Sequence, residues 1–125
     1  MNADWDKLKR LALTEVEATL AALPAPLRER AAHLPVTFER VPHADFVAEG
    51  IEVDSLGLFT GPAFGEEAHC TSPVPPQIIL YLENLWDFAD ADEEIYLEEV
   101  HTTYLHELGH YLGLDEDDLT ERGLD

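Results

Sequence analysis

Residues 106 to 110 read His-Glu-Leu-Gly-His, which places two histidines four positions apart with a glutamate directly after the first. In an α-helix, residues at this spacing lie on one face, so the imidazoles of His106 and His110 would point the same way. Two such imidazoles can each ligate one Zn²⁺ through a ring nitrogen at about 2 Å. Glu107, about a quarter turn away, would sit beside the metal without ligating it.

The chemistry that this spacing predicts is metal-assisted hydrolysis of an amide. A bound Zn²⁺ lowers the pKa of a water ligand from about 16 to about 7 and polarises the scissile carbonyl. A carboxylate beside the metal can accept the proton of that water and pass it to the leaving amine. Glu107 is therefore the candidate general base, and His106 and His110 are candidate metal ligands.

Two further positions extend the pattern beyond what chance readily produces in a chain with 6 histidines and 27 acids. Gly113 falls where the helix must end, and glycine there can take the left-handed conformation that turns the chain back toward the metal. Glu116 then stands at the position of a third ligand, and Asp115 is the alternative. The alternative is that both histidines are ordinary exposed helix residues. The additional matches at Gly113 and Glu116 disfavour this alternative.

The full string HELGHYLGLDE, residues 106–116, resembles the extended zincin signature, in which a third histidine or an acid completes the metal site. Two N-terminal helices, LGLFTG, a proline-rich loop, PPQIILYLENL and a long C-terminal helix follow one another. This order is similar to that of the small bacterial minimal zincin-like metallopeptidases and covers nearly the whole chain. The only methionine is Met1, so the methionine turn of the larger metzincins is absent.

The resemblance implies an α+β fold with a small mixed β-sheet packed on helices and the motif on a long C-terminal helix. It also implies one Zn²⁺ held by His106, His110 and an acid after Gly113, with Glu107 as the base. It implies no defined substrate. Peptidase activity is therefore expected mainly from the motif.

Periodicity predicts the long helix that the motif needs. It should begin after Asp90 as N-cap and run to about Leu112, with a core-facing stripe of Leu97, Val100, Tyr104, Leu108 and Tyr111. The opposite face would carry Glu99, Thr103, His106 and His110. A second amphipathic helix is predicted from Asp4 to Leu23, and a short one over residues 26–34, bounded by prolines.

Three β-prone segments predict the sheet: residues 36–41, 56–61 and 77–82. The last of them, QIILYL, is expected as an edge strand along the metal cleft, where an extended peptide could add as a further strand. Residues 43–55 are expected to form a connecting segment, with an extended stretch around Phe46 and Val47. Residues 83–89 are expected to form a helical turn that directs Trp86 and Phe88 inward.

Composition limits the remaining possibilities. A chain of 125 residues predicts one domain over residues 1–125, and the resemblance implies that it is a zincin-like metallopeptidase domain. Seven lysines and arginines against 27 acids give a net charge of −20, which disfavours nucleic acid and anionic membranes as partners. No apolar run approaches the roughly 20 residues of a membrane helix, and one cysteine and no signal-peptide pattern predict a cytoplasmic protein.

Two functions from different classes fit these observations. The first is a zinc-dependent metallopeptidase acting on peptides or unfolded protein segments. The alternative is a metal-containing protein- or peptide-binding module with vestigial or no hydrolytic activity. A structural zinc usually has four protein ligands, whereas three are supplied here and one position stays open, so the sequence favours the enzyme. A nuclease using the same chemistry is disfavoured by the net charge.

Overall fold

The computed structural model describes residues 4–61 and 75–113. The elements in these residues are, in order, α1 (Trp5–Ala21), α2 (Ala25–Ala31), β1 (Val36–Glu39), α3 (Ala44–Ala48), β2 (Gly57–Thr60), β3 (Gln77–Tyr81), α4 (Leu82–Phe88) and α5 (Glu93–Leu112). None of these helices is long and apolar enough to cross a membrane, as far as the described residues show. The architecture is α+β, as expected.

The three strands form one mixed sheet in the order β1-β3-β2. β1 pairs with β3 in parallel, and β2 pairs with β3 in antiparallel orientation. The prediction that QIILYL forms an edge strand is therefore wrong, because β3 is hydrogen-bonded on both sides. Its residues Ile78–Tyr81 are all buried, and a continuous apolar run is typical of a strand covered on both faces.

The core lies between the sheet and a pair of long helices, α1 and α5. The buried face of α1 carries Leu8, Ala12 and Val16, as its periodicity predicts. The buried face of α5 includes four of the five predicted stripe residues, Val100, Tyr104, Leu108 and Tyr111, whereas Leu97 is only partly buried. Tyr96, which the predicted stripe omits, is fully buried and donates a hydrogen bond of 2.9 Å to the carbonyl oxygen of Leu8.

Both ends of α5 are fixed by local geometry. Its N-cap is Asp92, whose Oδ1 accepts a hydrogen bond of 3.0 Å from the N–H of Ile95. The predicted N-cap, Asp90, is wrong by two residues, because Asp90 and Ala91 have positive φ angles in the turn that leaves α4. At the other end, Gly113 is left-handed with φ 73°, which confirms its predicted role as the helix terminator.

Two further expectations are wrong. Phe46 and Val47 lie in α3 rather than in an extended stretch, because the His43 side chain caps that short helix by accepting a hydrogen bond from the N–H of Asp45. Phe88 is 61% exposed, whereas Trp86 packs edge-on against Tyr96. Residues two positions apart on a helix point to opposite sides, so Trp86 and Phe88 cannot both face the core.

Candidate metal centre

The last turns of α5 bring His106, Glu107 and His110 together, as the motif predicts. The two imidazole rings have centroids 4.7 Å apart and are tilted by 59°. His106 is partly buried, and the His110 side chain is 53% exposed. The same helix that buries Tyr104 and Leu108 therefore presents both imidazoles outward.

Glu107 is only 8% exposed, although it stands between two more accessible histidines. Its Oε1 lies 3.5 Å from Nδ1 of His110, and the backbone N–H of Phe59 in β2 donates a hydrogen bond to its carboxylate. Burial raises the pKa of Glu107 above its ordinary value, and His110, His106 and the Phe59 N–H partly offset this rise. The result is a buried carboxylate of increased basicity that accepts a hydrogen bond from the sheet.

Within residues 4–61 and 75–113, β2 is an edge strand of the sheet and lies beside the motif. Its first residue, Gly57, approaches α5 so closely that an added Cβ would stand 2.7 Å from Cγ2 of Thr103. Further along, the Phe59 ring packs on Tyr111 with centroids 5.8 Å apart. Gly57 thus meets the middle of α5 and Phe59 meets its end, so β2 and α5 run in the same direction.

A cavity of about 330 Å³ opens between β2 and α5 next to the two motif residues His106 and Glu107. The other lining residues are Ser55, Leu56, Gly57, Glu99, Thr102 and Thr103. The rim before β2 is held by Asn84 of α4, whose side-chain amide donates hydrogen bonds of 2.8 Å to the carbonyl oxygens of Val53 and Ser55.

Sequence reasoning missed the part of the site that β2 and α4 supply. Asn84, the Phe59 N–H and the close approach at Gly57 carry no motif of their own. The one available signal was a glycine at the start of a predicted strand, since such a glycine often marks a place where another chain segment comes close.

The donors that the structure describes fit Zn²⁺ but do not complete its coordination. Two imidazoles one helical turn apart are standard zinc ligands. Within residues 4–61 and 75–113, no group of three or more His, Cys, Asp or Glu side chains is arranged to hold a metal ion. The expected third ligand, Glu116, and its alternative, Asp115, lie outside the described residues.

Comparison with known proteins agrees with the fold and the motif. A family model described as zincin-like metallopeptidase matches residues 31–124. The match covers most of the chain, and the chain belongs to this family. Membership suggests a hydrolase that binds zinc and acts on peptides. A search of curated proteins gives no match.

Proposed function

We propose that this chain is a zinc-dependent metallopeptidase in which Glu107 is the general base and His106, His110 and Glu116 hold the metal. The observation that supports this most directly is the setting of Glu107. Its carboxylate is buried between two candidate ligands, oriented by a backbone N–H of β2, and borders the cavity. An ordinary surface glutamate on an acidic helix has no reason to be held in this way.

The ligand set leaves room for chemistry at the metal. His106 and His110 would each contribute a ring nitrogen, and Glu116 a carboxylate oxygen, with Asp115 as the alternative third ligand. When bound, Zn²⁺ supplies a Lewis acid that lowers the pKa of water and polarises a carbonyl. Three protein ligands leave a coordination position open, which is typical of catalytic rather than structural zinc sites.

Glu107 performs the proton transfers. Its carboxylate accepts the proton of the attacking water and returns it to the amine nitrogen of the leaving peptide as the C–N bond breaks. Burial favours this role, because it keeps the carboxylate more basic than a solvated one. The Phe59 N–H keeps one carboxylate oxygen fixed while the proton moves.

The substrate is a peptide or an unfolded protein segment. Among the strands of the described residues, β2 pairs on one side only, with β3, and its first residue, Gly57, lines the cavity. An extended peptide can therefore add to β2 through main-chain hydrogen bonds. Such binding brings its carbonyl groups past Glu107 without requiring a folded partner.

The test compares wild-type protein with Glu107→Gln, which keeps the shape of the side chain and both histidines. Protein never exposed to chelator or nickel resin is analysed for metal by mass spectrometry and then incubated with a broad peptide library. We expect equal zinc content and fold, and a kcat/KM for the best peptide that is lower by about 100- to 10,000-fold in the variant.

Glu98→Gln is the matched control, because it removes the same charge from the same helix. Glu98 is exposed and lines a separate groove with Glu15 and His101, so its rate should stay within about twofold of wild type. Equal rates in wild type and Glu107→Gln would exclude the catalytic role. A wild-type protein that holds zinc and cleaves nothing in the library would instead establish the binding module.

A further inference from the structure

The basic residues of this chain are concentrated far from the candidate site in the sequence. Six of the seven precede residue 41, and no lysine or arginine occurs between Arg40 and Arg122. Both walls of the cavity, β2 and α5, belong to this cation-free stretch. The negative potential around the cleft is therefore not offset by any basic residue of the same segment.

Glu99 places one of these negative charges inside the cavity. It lies seven residues before His106 on the same face of α5, and both side chains line the cavity. Among the described lining residues, Glu99 is the only carboxylate besides Glu107. It is half-buried and forms no ion pair with another described residue, so its charge is available to a ligand.

The rest of the cavity suits a long aliphatic side chain with a charged end. Leu56 and Gly57 form an apolar stretch of wall, and the hydroxyl groups of Ser55, Thr102 and Thr103 are neutral. The volume of about 330 Å³ is sufficient for one lysine or arginine side chain with accompanying water. These side chains bury their methylene groups and keep the charged end hydrated.

Two more carboxylates precede the cavity wall in the sequence. Glu52 and Asp54 are exposed in the segment directly before Ser55. The carbonyl oxygens of Val53 and Ser55 are held by Asn84, so this segment is fixed against α4. The two carboxylates therefore add negative charge to a segment that leads directly into the cavity wall at Ser55.

Helix geometry sets where a basic residue would stand in the substrate. Seven residues of α-helix span about 10 Å, and an extended peptide advances about 3.3 Å per residue. Glu99 therefore lies beside a substrate residue about three positions from the bond that is cleaved near His106. The length of a lysine or arginine side chain allows for a difference of one position.

We propose that the cleft selects cationic polypeptides and that Glu99 is the specificity-determining residue, which pairs with a lysine or arginine side chain in the cavity between β2 and α5. This inference rests on the proposed peptidase function. It names the substrate class that the same site accepts.

The experiment uses three peptides that differ at one position, about three residues from the cleaved bond, and carry lysine, norleucine or glutamate there. Norleucine matches the lysine stem without its charge. For wild type we expect a kcat/KM ratio of lysine to norleucine of about ten, and a still larger ratio of lysine to glutamate. In Glu99→Gln the lysine-to-norleucine ratio should fall toward one, and in Glu99→Lys the glutamate peptide should become preferred.

Glu98→Gln again serves as the control and should keep the wild-type ratio, because its charge lies outside the cavity. A wild-type ratio near one, or a lysine preference that survives in both Glu99 variants, would overturn the inference while leaving the peptidase intact. Loss of the preference in Glu98→Gln as well would assign it to overall charge and would equally overturn the role of Glu99.

A second readout keeps the inference testable if the wild-type protein cleaves nothing. Fluorescence anisotropy of the same three peptides, labelled with fluorescein, measures their Kd for wild type, Glu99→Gln and Glu98→Gln. A lysine preference lost only in Glu99→Gln would support the charge-selecting cavity, although peptidase function would have failed. Equal Kd values for all three peptides would overturn the inference by a measurement that does not depend on turnover.

Discussion

Glu107 combines two requirements that oppose each other in most proteins. A carboxylate that is buried gains basicity, but a buried charge is costly unless it is hydrogen-bonded. Here the Phe59 N–H and the neighbouring histidines supply the stabilisation, and burial still dominates, because the pKa of Glu107 is raised. The Glu107 carboxylate is thus both more basic than a solvated one and hydrogen-bonded.

The identity of the third metal ligand can be tested by the zinc affinity of two variants. If Glu116 holds the metal, zinc affinity should fall by at least about tenfold in Glu116→Gln, since one of three protein ligands is neutralised. Asp115→Asn should stay within a few-fold of wild type. Competition with a fluorescent zinc chelator measures both. The opposite ranking would identify Asp115 as the ligand that the turn after Gly113 brings to the metal.

The roles of individual residues were predictable only where they follow from spacing along one helix. His106, Glu107 and His110 stand as the motif predicts, because helix periodicity alone decides which side chains share a face. The burial of Glu107 was not predictable, because it depends on β2, which lies far away in the sequence. The sequence places Glu99 on the same helix face as His106, whereas its position in the wall of a cavity is visible only in the structure.

The contact between β2 and α5 is the element-scale feature on which the cavity depends. An alanine at position 57 would place its Cβ 2.7 Å from Thr103 Cγ2 and 3.2 Å from Leu80 Cδ2. Thr103 is β-branched and helical, so its side chain has little freedom to rotate away. We therefore expect Gly57→Ala to lower the free energy of unfolding by about 1 to 3 kcal/mol in urea denaturation.

The double variant Gly57→Ala/Thr103→Ser tests whether this loss comes from the predicted collision. Serine lacks Cγ2, so the closest clash is removed, and the double variant should recover a large part of the lost stability. Thr103→Ser alone is the reference for the cycle. If the effects of the two substitutions on the free energy of unfolding are additive, the Cβ added at position 57 does not collide with Cγ2 of Thr103.

The packing of α1 on α5 predicts a pH dependence of stability. Tyr96 is fully buried, and burial raises the pKa of its phenol well above the ordinary value of 10.0. Above pH 10 the unfolded chain loses this proton while the folded chain retains it. The stability contributed by neutral Tyr96 is thus present below pH 10 and is lost as the pH rises, by up to about 1.4 kcal/mol per pH unit.

Tyr96→Phe should therefore be less stable than wild type near pH 8, by about 1 kcal/mol, because the hydrogen bond to Leu8 is lost. Between pH 10 and pH 11 the variant should lose less stability than wild type. Urea unfolding at three pH values checks both statements. Parallel curves would mean that Tyr96 ionises equally in both states. Tyr104, with a pKa raised by burial to about 12, maintains part of the alkaline sensitivity in the variant.

Most elements were predictable because each has a local signature, whereas their arrangement was not. The apolar spacing of three and four residues predicted the helices α1 and α5, and the β-prone segments predicted the strands β1 to β3. The order of the sheet depends on which strands approach one another, and no local pattern states this. The apolar sequence of β3 was compatible with an edge strand along the cleft or with a central strand. In the structure β3 pairs with a strand on each side, so it is the central strand of the described sheet.

At the scale of the whole molecule, the net charge is expected to lower stability. A net charge of −20 in 125 residues makes the compact state repel itself, and salt screens this repulsion over about 10 Å at 0.1 M. We expect Tm to rise by about 5 °C between low salt and 0.3 M NaCl, which corresponds to about 1 kcal/mol in a domain of this size. Differential scanning calorimetry measures the shift.

Sucrose at matched osmolality is the control for effects of the solvent that do not involve charge. It should raise Tm less than NaCl does, and a mixture of both should show that the two effects are independent. A Tm that is unchanged or lower in NaCl would mean that local ion pairs such as Lys7 with Glu93 outweigh the overall repulsion.

If the proposed peptidase function holds, the absence of basic residues between Arg40 and Arg122 has a consequence for cleavage of the protein by other copies of itself. At high concentration, other copies of the chain are its most abundant protein neighbours. A transiently unfolded copy would then be a potential substrate. If cleavage requires a lysine or arginine near the scissile bond, residues 41–121, which carry the motif, offer none. Self-digestion would then be confined to the sequence near Arg40, Arg122 and the basic residues before Arg40, and the segment that carries the motif would be spared by its own composition.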